Sequence, residues 1–303
     1  MNEVCAVVVT YNRIDMLKEC ISRLLAQENA SCDILIIDNA STDGTKEKIS
    51  PMVDGTRVQY HNTGANLGGA GGFRIGMELA VLKDYKFVWI MDDDSFVYKN
   101  SLQTLLIADE KLAGNYGFLS SIADWKDGTP CNMNRQRTSI KDPINDYESN
   151  LVKVIMASFV SFFIKSEIII QFGLPIKDFF IWSDDLEYSR RISKKLPCYA
   201  VNTSHVLHNM ASNQKVGIEK ESLDRLWRYE YLYRNEVYLY RREGLKGWIY
   251  EFARVGLHCF RVISKGENRF KKIKVIINSF INGFAFNPKI EYIAFNENDT
   301  IKD

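Results

Sequence analysis

Apolar and polar positions change period several times along the first half of the chain. Val4–Val9 is a short β-branched run that stops at the polar turn Thr10-Tyr11-Asn12-Arg13, and Ile14, Leu17, Ile21, Leu24 and Leu25 then recur at helical spacing. Asp33–Ile37 predicts a second buried strand, which runs into Asp38-Asn39-Ala40-Ser41-Thr42-Asp43-Gly44 and a short helix. Val58–His61 predicts a third strand, followed by a glycine-rich loop and a helix carrying Ile75, Leu79 and Leu82. Phe87–Met91 is wholly apolar and closes on Asp92-Asp93-Asp94. Repeated strand–helix units of this kind predict a mostly parallel sheet covered on both faces. The stretches 10–13, 38–43 and 92–94 each follow the carboxyl end of a predicted strand, the edge where open α/β sheets bind ligands.

Further along, Val152–Ile164 predicts another strand, Phe179–Leu196 a charged helix and Cys198–Asn202 a short strand. Beyond His208 the pattern shifts. Residues 225–242 are crowded with Tyr and Arg, and Leu245–Lys265 is amphipathic. The shift predicts a boundary near Asn213, with an α/β domain over residues 1–213 and a C-terminal helical region over 214–303.

Composition narrows the function classes. With 39 Lys+Arg against 38 Asp+Glu, the net charge of +1 points to no nucleic acid or other polyanion. Six scattered cysteines without a C-x-x-C argue against zinc ribbons, thioredoxin chemistry and a disulfide framework. The opening MNEVCAVVVTYNR lacks the features of a signal peptide, and the apolar runs Val152–Ile164 and Ile273–Phe286 are too short to span a bilayer. A cytoplasmic location is the expectation.

The acidic stretches carry the chemistry. Carboxylates two apart on an extended segment point the same way, so Asp92 and Asp94 can share one cation. Three adjacent carboxylates repel one another without a cation, and hard Mg2+ or Mn2+ suits oxygen ligands and bridges to a diphosphate. A solvated turn would explain an isolated triplet, but not one so well placed after Val88-Trp89-Ile90-Met91. Asp38 suits either a hydrogen bond from a nucleoside or a cap on the helix near Gly44. Asn62–Gly72 packs five glycines before a helix, which favours close approach to an anionic donor. It is neither a P-loop nor a dinucleotide fingerprint, since no Gly-Lys-Ser/Thr follows and Arg74 occupies the third glycine position. Asp184, Asp185 and Glu187 at a helix start complement its dipole. Beside Phe179, Phe180 and Trp182, one of them also suits a general base, with Arg190 and Arg191 orienting or neutralising the others. His205 and His208 both follow a strand, and spacing does not choose between them.

Together, Val8-Val9-Thr10-Tyr11-Asn12-Arg13, Asp38–Asp43, Asp92–Asp94 and Trp182–Glu187 resemble the family 2 inverting glycosyltransferases of GT-A fold, over roughly residues 4–210. Asn66–Phe73 and Asp184–Tyr188 most resemble the galactofuranosyltransferases among them. The resemblance implies a nucleotide-diphospho-sugar transferase fold. It implies Thr10 and Asp38 at the uridine, and Asn12, Arg13, Asp93 and Trp182 also at the donor. Asn66, Gly68, Gly69, Gly71, Gly72 and Arg74 would lie along it. It further implies Asp92, Asp94 and His208 (rather than His205) as ligands of Mn2+ or Mg2+, Asp185 as catalytic base, and Asp184 gripping the acceptor. The implied partners are a UDP-sugar, expected to be UDP-galactofuranose, and a glycan acceptor, expected to be lipid-linked. Two features depart from the pattern: Ser183 separates Trp182 from the acid pair, and the long assembly domain of polymerising mycobacterial relatives is missing. Addition of one or two residues is therefore expected. A rhamnosyltransferase using a dTDP donor would keep nearly every motif. A nucleotidyltransferase would want a basic glycine-rich first turn, and the intact acids argue against an inactive binding protein.

Leu245, Trp248, Ile249, Phe252, Leu257, Phe260 and Ile263 form an apolar helical stripe, followed by Arg261, Lys265, Arg269, Lys271, Lys272 and Lys274 against Glu267 alone. The stripe alone reads as ordinary packing on the main domain. The adjoining cations tip the expectation towards a peripheral contact with an anionic membrane surface.

Overall fold

A computed structural model of the chain describes residues 2–214 and 217–295. Strands β1 (Val4–Thr10), β2 (Asp33–Asp38), β3 (Val58–Asn62) and β4 (Phe87–Asp92) run parallel in the spatial order β3-β2-β1-β4. The sheet continues through β5 (Ser95–Val97), β6 (Leu119–Asp124), β7 (Leu151–Lys153), β8 (Phe162–Lys165) and β9 (Tyr199–His208). Beyond β4 the order is β8-β6-β9-β5, with β7 also on β9. Strands β6 and β9 share the direction of β1–β4, while β5, β7 and β8 oppose it. The sheet is mostly parallel, as expected.

Burial explains why the first strands read as unbroken apolar runs. Val4, Ala6 and Val8 face α1 (Ile14–Leu25), where Leu17, Ile21 and Leu24 are buried, and Val7 and Val9 face α3 (Gly68–Leu82), where Met77 and Ala80 are buried. Both faces are covered, so no polar alternation survives.

Three expected elements differ. The glycine run is not a loop, because α3 already begins at Gly68. A Cβ on Gly72 would lie 2.7 Å from Val9 Cγ1, so glycine there brings the helix against the sheet. Val152–Ile164 is not one strand. After β7 the chain leaves the ladder, exchanges hydrogen bonds between Met156 and Arg137, and gives the Ala157 N–H to Ser189 Oγ. Residues 179–183 also stay outside the helix expected over Phe179–Leu196; α6 spans Asp184–Ser193.

Beyond residue 213, α7 (Trp227–Arg241), α8 (Gly244–Lys265) and α9 (Arg269–Ala285) share an apolar cluster that includes Tyr233, Val237, Val255, Val262 and Ile276. They also reach the α/β part: Tyr238 packs on Ala70, Ile176 and Phe179, and Glu243 pairs with Arg190 and Lys194 of α6. The apolar stripe of α8 is not packed on the main domain. Leu245 is 76% exposed and Phe260 65%. Lys272 leaves the expected basic cluster, since it is buried and donates to the Glu219 carbonyl.

Candidate active site

The turn after β4 is a hub of charge. Asp92 ends the strand, Asp93 and Asp94 form the turn, and Ser95 pairs with His208 at the far end of β9. That register delivers a histidine from 114 residues away to the acidic turn, with His208 Nε2 at 3.1 Å from Asp94 Oδ1. Asp92, Asp94 and His208 offer ligand atoms that all lie within 4.8 Å of one another. His205 points elsewhere, its Nδ1 to Asp124 at 3.0 Å and its Nε2 to the Asn202 carbonyl. The neighbour that orients His208 was invisible in the sequence. Nδ1 lies 2.8 Å from Asn134 Oδ1, and a proton held there leaves Nε2 free for an ion.

The triplet is less isolated than its sequence implies. Arg13 Nη1 donates to Asp94 at 2.6 Å and to Asp93 at 3.3 Å, and Thr10 Oγ1 donates to Asp93 at 2.7 Å. The acids do not share one behaviour. Burial, then the charge of Asp94, pushes Asp92 up to about 8, and burial brings Asp93 to about 6. Burial also acts to raise Asp94, but His208 and Arg13 outweigh it and hold Asp94 below the usual carboxylate range. Burial lowers His208, yet its bond to Asp94 and the nearby charges carry it up to about 9. A divalent ion bound among these groups would compete with their protons.

Around this hub, Asn12 and the 38–43 loop tie two strand ends together. The Asn12 N–H donates to Ser41 Oγ at 2.8 Å, and the Asn12 side chain accepts the Thr42 N–H at 2.7 Å. Asp38 is fully buried, accepting the Ser41 N–H at 2.8 Å and the Tyr60 hydroxyl at 2.5 Å. It does not cap α2 (Thr45–Ile49); Asp43 accepts the Thr45 N–H instead, at 3.1 Å. Its sequence position next to the cap had left both roles open.

The second acidic group stands at the start of α6. The Asp184 carboxyl is buried and held far above its ordinary range, first by burial, then by Asp185 and in part by Asp92. That coupling places the two acidic groups within reach of one another's field. Asp185 is more open. Burial raises it to about 6, while the Leu186 N–H, at 2.7 Å, and the charge of Arg137 act against the rise. Arg191 neutralises Glu187, as expected, and also donates to the carbonyls of Phe172 and Leu174, but Arg190 is spent on Glu243 and neither arginine pairs with Asp184 or Asp185. Arg137, from a loop with no motif, is the basic side chain that Asp185 senses.

The approach to α6 is strained. Phe180, Trp182 and Ser183 all have positive φ, at 62°, 65° and 67°, a region costly for residues with a Cβ. Fully buried Asn235 of α7 spans this turn, and its Nδ2 donates to the carbonyls of Phe179, Ile181 and Trp182 at 3.0, 3.2 and 2.9 Å. Arg234 fixes the amide by donating to Asn235 Oδ1 at 2.8 Å. Nothing in the sequence marked Asn235, because its partners lie more than fifty residues away.

Several residues expected at the donor also have packing or pairing partners within the fold. Trp182 packs edge-on against Tyr229, and Phe73 is buried against Phe159. Gly68 is pressed to the Phe180 carbonyl and also accepts from Asn39 at 2.9 Å. Gly71 meets Leu67, and Gly69 remains partly open at the first turn of α3. Arg74 is paired with Glu78 and Glu291, and with Asn66, Lys177, Phe180 and Tyr231 it lines a cleft of about 740 Å³. Helical spacing puts Arg74 on the side of α3 away from Gly72 and the sheet.

Residues 5–152 match the family described as glycosyl transferase family 2. The chain has a family 2 glycosyltransferase domain. It is 24% identical over 267 residues to galactofuranosyltransferase GlfT1 of Mycolicibacterium smegmatis, covering 80% of this chain and 84% of the relative. The GlfT1 of Mycobacterium tuberculosis is 28% identical over 259 residues, with the same coverage. Abequosyltransferase RfbV of Salmonella typhimurium is 35% identical, but over 32% of this chain and 29% of its own. The glycosyltransferase domain also has GT-A neighbours among solved structures. S. aureus TarS 1-349 superposes with a TM-score of 0.55 at 12% identity, covering 94% of this chain and 72% of that one. GalNAc-T7 with UDP, GalNAc and Mn2+ gives 0.58 at 17% identity, covering 69% of this chain and 44% of that one.

Proposed function

We propose that this glycosyltransferase moves galactofuranose, with inversion, from UDP-galactofuranose onto a glycan acceptor carried on a lipid. The observation that carries the reading is the convergence of Asp92, Asp94 and His208 at the end of β4, with buried Asp184 within reach of the charge of Asp92. The furanose rests on the GlfT1 likeness, which extends over most of the chain. The likeness to an abequosyltransferase stops at about a third of the chain, so a match of that extent does not choose the sugar.

Two carboxylates and an imidazole fit a divalent ion, and the mixed oxygen–nitrogen set suits Mn2+ better than Mg2+, which favours oxygen. Such an ion offsets the negative charge that develops on the departing diphosphate. Thr10 and Arg13 hold Asp93 and Asp94 in place, and Asn134 holds His208. Asp185 takes the proton from an acceptor hydroxyl as that oxygen attacks the anomeric carbon on the face opposite UDP. A carboxylate raised to about 6 is ionised at neutral pH yet basic enough to accept the proton. Asp184 receives a second acceptor hydroxyl, donating to it while protonated. No covalent intermediate forms.

The test offers UDP-galactofuranose, UDP-galactopyranose, UDP-glucose and dTDP-rhamnose at equal concentration with a synthetic lipid-linked acceptor. Release of UDP separates an enzyme from a binder, and NMR of the product reads the linkage. The expected result is the highest kcat/KM with UDP-galactofuranose. A preference for a pyranose donor overturns the sugar assignment and leaves the transferase standing.

A further inference from the structure

We propose that the outer face of the α8–α9 hairpin docks on an anionic lipid surface. On α8, Leu245, Ile249, Phe252, Phe260 and Ile263 are each more than half exposed. Phe270 of α9 is 83% exposed, and Ile281 and Phe284 of the same helix are also open to solvent. The two stripes adjoin, since Trp248 stacks on Phe284 and Phe252 meets Phe280 edge-on, each at 5.3 Å between ring centres. Hydrophobic residues scattered singly over a surface need no explanation, but a continuous face across two helices does.

Charge selects the occupant. Lys246, Arg261, Lys265, Lys271 and Lys274 flank this face, and none makes an ion pair among the described residues. A second copy docking through the same face would bring two like-charged rims together, which is costly. An anionic headgroup layer satisfies both the apolar stripe and its cationic border. No described helix is long and apolar enough to cross a membrane, so α8, about 33 Å long, lies along the surface. The inference rests on the hairpin alone and stands or falls apart from the donor sugar.

Flotation of the full chain with phosphatidylcholine vesicles and with vesicles containing phosphatidylglycerol tests it. Recovery is expected with the anionic vesicles and is expected to fall as salt is raised. Replacing both Lys271 and Lys274 by alanine lowers partitioning about twenty-fivefold, at about fivefold per charge. Phe270→Ser weakens flotation without altering the melting temperature or transfer to a water-soluble acceptor. Equal recovery of the wild-type chain with neutral and anionic vesicles overturns the proposal. So does a concentration-dependent dimer in sedimentation that Phe270→Ser dissolves while the wild type fails to float.

Discussion

The two acidic groups of the candidate site are built from the same residue type and prepared for different work. At Asp92–Asp94, cationic and hydroxyl partners from three other elements converge: Arg13 and Thr10 from the first strand and its turn, and His208 from the ninth. At Asp184 and Asp185, no basic side chain lies within ion-pair distance among the described residues, and the contacts come from backbone. The first group is shaped to gather around positive charge. The second is shaped by burial to hold or accept a proton. Environment, and not residue identity, assigns the roles.

Removing an acid from the first group is expected to have the largest effect. Asp94→Ala, or excess chelator, should lower transfer by about a thousandfold or more, with Mn2+ restoring the chelated wild type but not the variant. Full turnover in excess chelator would erase the distinction between the groups. His205→Ala should leave metal dependence unchanged, because His205 is turned to Asp124.

Asp185→Asn keeps shape and removes the base, so kcat should fall about a hundredfold with donor affinity unchanged. The pH profile sharpens this. Turnover needs the ionised carboxylate, so in the wild type kcat should decline below about 6 and level off above it. The variant should lose that limb. A dead Asp184→Asn beside a near-normal Asp185→Asn would move the base by one residue.

A smaller effect is expected from a residue that touches neither reactant. Asn235→Ala removes the amide that bonds the three carbonyls of the strained turn before Asp184, and kcat should fall roughly ten- to hundredfold through misplacement of the acids. Donor KM should stay constant and the acidic limb of the profile should shift. A loss confined to melting temperature, with unaltered kinetics of the folded fraction, would reduce Asn235 to packing.

Much of the frame was legible because its signals are local. Three of the four parallel strands, β1, β2 and β4, announce themselves as apolar runs, and their ends coincide with 10–13, 38–43 and 92–94 because a parallel sheet puts every loop of one kind on one edge. The acids of both groups stood out for the same reason. The glycine run was visible but its use was not. Gly72 serves contact with Val9, a neighbour sixty-three positions away, and a list of glycines does not tell a loop from a close-packed helix.

What only the tertiary structure decided is everything that depends on long-range register. His208 reaches the triplet, and His205 does not, because Ser95 pairs with His208 across β5 and β9. Arg13, Asn134, Arg137 and Asn235 gain their meaning from partners folded towards them, and no spacing rule encodes those contacts. Sequence likewise fixed that α8 would be amphipathic, since periodicity is a property of the helix itself. Whether its apolar face met the core or the solvent depended on what the rest of the chain placed beside it: α7 and α9 bury the opposite side, and α9 touches the stripe at Trp248 and Phe252 while leaving most of it open.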